Sequence, residues 1–515
     1  MEQRSRWVLV LAGAAALFAS TFWLSTLQQP LIDKHEFRQT QTALSALFLQ
    51  PGLQSFINYQ TPVLGAPWSI PMELPLFQWL SHQLARLTGM NLSASGRLLS
   101  ILFGVGCLWQ ASRLMRRAGL GITAVALLIA LYCTSSIYLY WSRAFLMETM
   151  ALFLTLVSLD TYSQIRHKTL SSARAFSLLT AVLAISLSLG LLVKVTTALP
   201  ALILMGADWM WQSRTALQQR QKLLQQLIVG AGLAAAFVLL YSWTHHADAL
   251  KQLNPIGAKL TSTALKDWNF GTPIQRLQPD LWLKVVTSRM LAPIAAIPII
   301  AGLRISNKQT RSFLLACLFL AFAPLLIFTN LHIVHAYYQA GNHIFLLMAV
   351  AGSAGAVLDS RSRKRIEESL VIASLTILIV ANLGVFFASS GSRSDWAVSQ
   401  LKTSPKLTIG KIINNQTPST SPILVFGDDY SSAFAYHSQR RALTLPDWGR
   451  PRLVLTPRDI LRDSDRYLGG QPVGAVVSIQ PISEADLLPS CKIAKQHQIE
   501  EWHLYLCEPL NNPKA

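Results

Sequence analysis

Gly121-Ile-Thr-Ala-Val-Ala-Leu-Leu-Ile-Ala-Leu-Tyr-Cys-Thr-Ser-Ser-Ile-Tyr-Leu-Tyr140 runs straight into Trp141-Ser-Arg-Ala-Phe-Leu-Met-Glu148, and this stretch decides the fold. Positions 121–140 carry no charged side chain, long enough for one helix to cross about 30 Å of hydrocarbon with its backbone amides paired internally. Arg143 and Glu148 then arrive at or just inside the boundary, where a second apolar run, 146–163, begins. An ionisable side chain at the mouth of an apolar helix is costly unless it faces protein or water, so this junction is a functional candidate. An ion pair between Arg143 and Glu148 is the structural alternative.

Working outward, the same length criterion marks about eleven spans, at 7–26, 97–115, 121–140, 146–163, 176–193, 196–212, 227–243, 290–304, 312–329, 343–358 and 369–388. Only Lys194-Val195-Thr196-Thr197 separates the fifth from the sixth, and merging them would change the parity. The chain has 515 residues, 51% hydrophobic and 13% charged, against about 25% charged in ordinary globular proteins, so most of it belongs in a bilayer. Its 44 Lys and Arg exceed 25 Asp and Glu by 19, but the excess lies in short clusters between apolar runs. That pattern sets topology and gives no nucleic-acid tract. The clusters are Arg4 and Arg6; Arg113, Arg116 and Arg117; Arg166, Lys168 and Arg174; Arg214, Arg220 and Lys222; Arg304, Lys308 and Arg311; and Arg361, Arg363, Lys364 and Arg365. All fall on one side, which places the N-terminus in the cytoplasm and, with an odd number of spans, the C-terminal segment outside. The first run has the length of a full span and reads as a signal anchor rather than a cleaved leader.

The expected organisation is a mainly α, polytopic membrane bundle over 1–390, with exterior loops 27–96 and 244–289, and a small periplasmic α/β domain over 391–515. In the tail, short apolar strands at 422–427, 441–446 and 473–479 alternate with helical stretches at 430–438 and 457–467, which favours a partly parallel sheet. Segments 491–495 and 501–507 form a two-stranded edge, across which Cys491 and Cys507 can pair in an oxidising compartment. Cys107, Cys133 and Cys317 sit in apolar runs and read as packing residues.

Three polar clusters fall on the outer side. Leu31-Ile-Asp-Lys-His-Glu-Phe-Arg-Gln-Thr-Gln-Thr-Ala43 sets Asp33, His35, Glu36, Arg38 and Gln39 just beyond the first span, and a helix here would gather Asp33 and Glu36 on one face. Taken alone, it is also an ordinary polar interfacial helix. Arg143 and Glu148 form the second cluster, and His332, His335, Tyr337, Tyr338, Gln339 and Asn342 the third. Two histidines at that spacing can share a metal on a helix; no third ligand stands nearby, so a neutral hydrogen-bonding role is the simpler reading, with a divalent metal left open. Lys194, in the break between two spans, either snorkels or meets an anionic phosphate.

His35-Glu-Phe-Arg-Gln-Thr-Gln-Thr-Ala43, Pro67-Trp-Ser-Ile-Pro-Met-Glu-Leu-Pro75, Trp141-Ser-Arg-Ala-Phe-Leu-Met-Glu148 and His332-Ile-Val-His-Ala-Tyr-Tyr338 occur in that order. Together they resemble the GT-C membrane glycosyltransferases related to protein O-mannosyltransferases and aminoarabinose lipid A transferases. The resemblance implies a glycosyltransferase taking a polyprenyl-phosphate sugar donor to an envelope glycan, lipid or protein acceptor, in a bacterial inner membrane. It implies an acidic residue of the first exterior loop at the reaction centre. The family's Asp-Glu pair reads His35-Glu36 here, so either Glu36 or Asp33 takes that role. It further implies Glu148 as the second carboxylate, Lys194 as a phosphate contact and the His332–Tyr338 loop as closing the site. Arg38, suited to bidentate contact, is a second candidate for the phosphate, and His35, Gln39, Arg143, His335 and Tyr337 are candidate substrate contacts. Two other classes compete: a transporter or flippase of lipid-linked sugars, which predicts charges deep in several spans and broken helices, and a non-catalytic envelope-assembly subunit, suggested by His35 in place of Asp.

Overall fold

The computed structural model describes residues 2–167, 173–216, 220–360, 365–388, 404–447 and 455–508. Lys168, Arg361, Arg363, Lys364 and the expected 390/391 boundary lie outside the described residues. The chain forms two compact units: Met1–Leu27, Arg97–Trp243 and Lys266–Trp396 make one, and Gln28–Gly96, Thr244–Leu265 and Ala397–Ala515 the other. Residues 28–96 and 244–265, read above as exterior loops of the membrane core, thus group with the tail.

Among its described residues the first unit contains helices joined by short turns and no strand. Six helices among the described residues are long and apolar enough to cross a membrane, or seven if the pair Asp280–Arg289 and Ala292–Ile305, bent by 70°, is one span; Ile122–Thr134 and His343–Asp359 are apolar but shorter. The eleven runs therefore include stretches that fold as shorter or more polar helices. The run 121–140 divides because Ser135 is extended (φ −62°, ψ 127°) and its Oγ accepts from Ile137 N at 3.3 Å, starting a new helix at Ser136–Trp141. Asn382 Oδ1 accepts from Ser136 N at 3.2 Å, so the break leaves that amide paired. From the new helix, the Tyr138 hydroxyl donates to Ala340 O at 3.1 Å and accepts from Ile344 N at 2.7 Å. The break thus anchors the 336–344 segment that carries the tyrosines. Between helices in lipid there is little hydrophobic driving force, and close backbone approach does the work. Gly355 shows it: a Cβ there would come 2.8 Å from Ala124 Cα and 2.9 Å from its backbone nitrogen.

The second unit centres on a five-stranded sheet of order β2-β1-β3-β5-β4, with β1 Ile423–Phe426, β2 Ala442–Leu445, β3 Ala475–Ser478, β4 Ile493–Ile499 and β5 Trp502–Cys507. β1 is parallel to β2 and β3, while β5 is antiparallel to β3 and β4, which is the partly parallel sheet with a two-stranded edge expected from the alternation. Cys491 and Cys507 are disulfide-bonded with Cα atoms 5.0 Å apart. The other edge, β2, is covered by the first long loop: Ala442 N donates to Pro62 O, Gly65 N to Ala442 O and Thr444 N to Val63 O, at 2.9, 3.0 and 2.8 Å. An open strand edge is a pairing hazard, and this loop removes it. Asn254 fixes the loop by donating to Leu64 O and Ala66 O, each at 3.0 Å. One apolar core results, in which Leu44, Val63, Trp68, Ile70, Ile256 and Leu260 pack with strand residues such as Leu424, Leu443 and Val476.

Candidate active site

In the helical unit a buried ion pair is built at a helix break. Only Lys194 separates Ala173–Val193 from Val195–Ala216; its carbonyl accepts from Thr197 N at 3.1 Å and Ala198 N at 3.3 Å, so it starts the second helix. Its Nζ lies 3.2 Å from Glu148 Oε1, and both side chains are buried, at 4% and 2% exposure. Glu148 opens the helix Glu148–His167, where the macrodipole favours an anion. Lys194 stands at an N-terminal end, where the dipole opposes a cation, and the carboxylate offsets that opposition. The rings of Tyr338 and Tyr337 add to it, 5.0 and 5.7 Å from the ammonium. Glu148 is therefore paired with Lys194, while the Arg143 guanidinium lies over the rings of Tyr140 and Phe22, at 4.8 and 5.1 Å.

The aromatic segment closes round this pair. Tyr337 and Tyr338 lie 4.5 Å apart, His335 stacks on Tyr337 at 5.2 Å, and Trp141 meets Tyr337 edge-on at 5.9 Å. His332 is 1% exposed; burial first, and the Arg289 charge second, push its pKa down to about 3, so the ring is neutral. Among the described residues no group of three His, Cys, Asp or Glu side chains is arranged to hold a metal ion. The segment approaches Lys194 closely because residue 341 is glycine: a Cβ there would overlap Thr197 Oγ1 and sit 3.2 Å from Thr197 Cβ. Thr is branched at Cβ and cannot swing away. Gly341→Ala is expected to push the segment off the Lys194 turn and cut turnover about 10- to 100-fold, since displacements of an ångström carry such factors. Turnover and melting temperature of the purified variant check this; unchanged turnover would deny the close approach any role.

The first-loop residues are organised in the other unit. The expected helix over 31–43 begins only at Glu36, running Glu36–Leu47, because His35 adopts a left-handed conformation (φ 57°). Asp33 is consequently not on a shared helix face with Glu36. It is held from the helix by Gln39, whose Nε2 donates to Asp33 Oδ1 at 2.7 Å and to Lys34 O at 2.9 Å. Glu36 instead joins a charge cluster with tail residues: Oε1 is 3.5 Å from His437 Nε2, and Oε2 is 3.9 Å from Lys406 Nζ, which also binds Asp428. Burial raises the Asp428 carboxyl above the usual range despite the Lys406 ammonium, and Glu36 adds to the rise. Arg38 pairs with Glu73 and also bonds Gln41. Tyr59 fixes the Glu73 backbone, its hydroxyl donating to Glu73 O at 3.0 Å and accepting from Met72 N at 2.9 Å.

The structure thus brings together Glu148, Lys194, Tyr337, Tyr338, His332 and His335 in one unit, and Asp33, His35, Glu36, Arg38 and Gln39 in the other. Glu73, Lys406, Asp428, His437 and Arg289 have roles that sequence reading did not assign. Glu73 sat in the 67–75 motif as a visible signal, and Pro405, at the first turn of the helix Pro405–Gln416, marked a helix start beside Lys406.

A polytopic helical membrane unit with a buried acid–lysine pair under aromatic side chains, joined in one chain to a small mixed sheet, has the GT-C fold, and the resemblance read from the motifs is borne out. Residues 61–247 match the family model described as dolichyl-phosphate-mannose-protein mannosyltransferase. The structure is similar to ArnT from Cupriavidus metallidurans bound to undecaprenyl phosphate, with TM-score 0.62 and 12% identity over 97% of this chain and 98% of that one. It is also similar to the archaeal oligosaccharyltransferase AglB from Archaeoglobus fulgidus, in complex with an inhibitory peptide and a dolichol-phosphate, with TM-score 0.56 and 11% identity over 92% of this chain and 69% of that one. No curated protein matches the chain by sequence.

Proposed function

We propose that this protein transfers a sugar from a polyprenyl-phosphate donor to a glycan, lipid or protein acceptor of the cell envelope, at the periplasmic face of a bacterial inner membrane. The observation that carries the reading is the buried Lys194–Glu148 pair at the N-terminal end of the helix Val195–Ala216. A cation and a helix N-terminus directed at one place form an anion site, and the phosphate of a lipid-linked sugar is such an anion. In this reading the N-terminus is cytoplasmic, the helical unit within 1–390 is the membrane core, and the tail, with residues 28–96 and 244–265, is periplasmic.

The reaction is a single displacement. Asp33 accepts the proton of the acceptor hydroxyl, the oxygen attacks the anomeric carbon as its bond to the phosphate oxygen breaks, and configuration inverts. Lys194 neutralises the departing polyprenyl phosphate. Glu36 is the alternative base; its carboxylate is already engaged by Lys406 and His437. Arg38, His35 and Arg143 orient substrate, and the neutral His332, with His335, Tyr337 and Tyr338, covers the donor end.

Purified protein given a polyprenyl-phosphate monosaccharide labelled in the sugar, with an envelope acceptor fraction, should release polyprenyl phosphate and label the acceptor. The 70° bend after Arg289 supports a second reading, a transporter of lipid-linked sugars. In proteoliposomes that reading requires donor to change leaflet without release of polyprenyl phosphate. Flux without release would overturn the enzyme reading.

A further inference from the structure

Three groups of the 280–341 region form a closed hydrogen-bond circuit. Arg289 Nη1 donates to His332 O at 2.8 Å and to Gln339 Oε1 at 3.3 Å, and its Nη2 donates to Ile333 O at 3.2 Å. Gln339 Nε2 lies 3.0 Å from His332 O and 3.1 Å from His332 Nδ1. Gln339 and His332 are both buried, at 0% and 1% exposure.

These contacts admit one arrangement of protons. Arg289 can only donate, so the amide oxygen must face it and the amide NH2 must face His332. Of the two amide hydrogens, one serves the His332 carbonyl and the other meets Nδ1, which must therefore offer a lone pair. Turning the amide over would set its oxygen against the carbonyl and its NH2 against the guanidinium, two repulsive contacts at once. A neutral imidazole whose Nδ1 accepts carries its proton on Nε2. That Nε2 is buried and has no hydrogen-bond partner among the described residues. An orphaned buried donor is costly, about 1–3 kcal/mol in general, and calls for a ligand or function.

We infer that Gln339, fixed by Arg289, locks His332 as the Nε2–H tautomer, so that His332 is a neutral hydrogen-bond donor to an oxygen of the lipid-phosphate donor. The ligand half of this rests on the glycosyltransferase reading; the tautomer lock does not. The His332 ring lies 5.8 Å from Tyr338, the same ring that stands 5.0 Å from the Lys194 ammonium, so both donors border one side chain. Lys194 supplies charge, and His332 supplies direction without a second charge. Gln339 and Arg289 act through His332 and are positioning residues. Arg289 and Tyr338 are the charged and titratable groups that the described residues set against the His332 ring from the neighbouring helix and from its own loop.

Replacing the Gln339 amide by a carboxylate reverses the proton preference. In Gln339→Glu the carboxylate accepts from Nδ1–H, favours the imidazolium and raises the His332 pKa. Below that pKa Nε2 still carries a proton; above it Nε2 is bare. Binding of polyprenyl phosphate by the full-length variant in nanodiscs, taken as a ratio to the parent at each pH so that the phosphate's own second ionisation cancels, should therefore be close to the parent near pH 6 and about tenfold weaker near pH 8. His332→Gln, whose amide nitrogen reaches the Nε2 position, should bind within about threefold of the parent; His332→Leu and His332→Asn should both be about tenfold weaker. Nitrogen-15 spectra of histidine-labelled protein, assigned by difference against His332→Gln, should show Nδ1 unprotonated and Nε2 protonated. A protonated Nδ1, a flat ratio for Gln339→Glu, or His332→Gln as weak as His332→Leu overturns the inference. If the parent protein shows the Nε2–H tautomer but binds no polyprenyl phosphate, the donor reading and the ligand half fall together and the lock stands.

Discussion

Asp33→Asn is expected to lower the turnover number about 10²–10⁴-fold, the usual contribution of a positioned general base, with the KM for donor and the melting temperature close to those of the parent protein. An amide keeps the shape of the carboxylate and still accepts from Gln39 Nε2, now 2.7 Å from Oδ1, so the loop before the helix Glu36–Leu47 stays closed. What is lost is the ability to take a proton. Glu36→Gln should behave in the opposite way. Glu36 is 19% exposed and its carboxylate faces Lys406 and His437, so neutralising it loosens the helix Glu36–Leu47 from those tail residues and costs about 1 kcal/mol of stability, with turnover reduced only a few-fold. Single-turnover rates and thermal melts of the two variants, measured side by side, separate the roles. Should Glu36→Gln be inert while Asp33→Asn turns over, the base is Glu36 and the assignment to Asp33 is wrong.

This contrast also shows where the sequence stopped being legible. Apolar length and flanking charge reveal membrane helices because a bilayer imposes one demand on every segment, and the alternation of short strands with helices in the tail revealed a sheet for the same local reason. The Ser135 break was hidden inside a run of apolar residues, since a serine cap looks like any tolerated polar residue until Ile137 N is seen to need it. The site divides along the same line. Glu148 and Lys194 stood out because charge at membrane depth is rare, yet their pairing spans 45 intervening positions, and Arg143 lies much nearer to Glu148 in sequence. Glu36 and Asp33 stood as alternatives for the base; the partners of Glu36, Lys406 and His437, come 370 and 401 residues later, contacts no periodicity encodes. Gln339 was visible as a donor, but its meaning depends on Arg289, some 50 positions away.

Lys194→Met and Glu148→Gln should move polyprenyl-phosphate affinity in opposite directions. Without Lys194 the Glu148 carboxylate is left buried and unneutralised, and removing one member of a buried pair costs about 3–5 kcal/mol, so Lys194→Met should melt well below the parent protein, lose transfer, and bind polyprenyl phosphate at least a hundredfold more weakly. Combining it with Glu148→Gln removes the stranded charge; stability should return while transfer does not, which divides the folding role of Lys194 from its chemical one. Glu148→Gln alone takes away the carboxylate 3.2 Å from the ammonium, which stays beside the two tyrosine rings at a helix N-terminus that opposes a cation. A phosphate arriving there no longer competes with a carboxylate for Lys194. Polyprenyl phosphate should then bind about tenfold more tightly and leave more slowly, so that turnover falls even where the first chemical cycle is near the parent rate; a burst followed by a slow steady state is the kinetic mark of it. On this account Glu148 is what returns Lys194 to the protein after each transfer. If Glu148→Gln instead weakens polyprenyl-phosphate binding as Lys194→Met does, the carboxylate supports the bound phosphate and does not displace it.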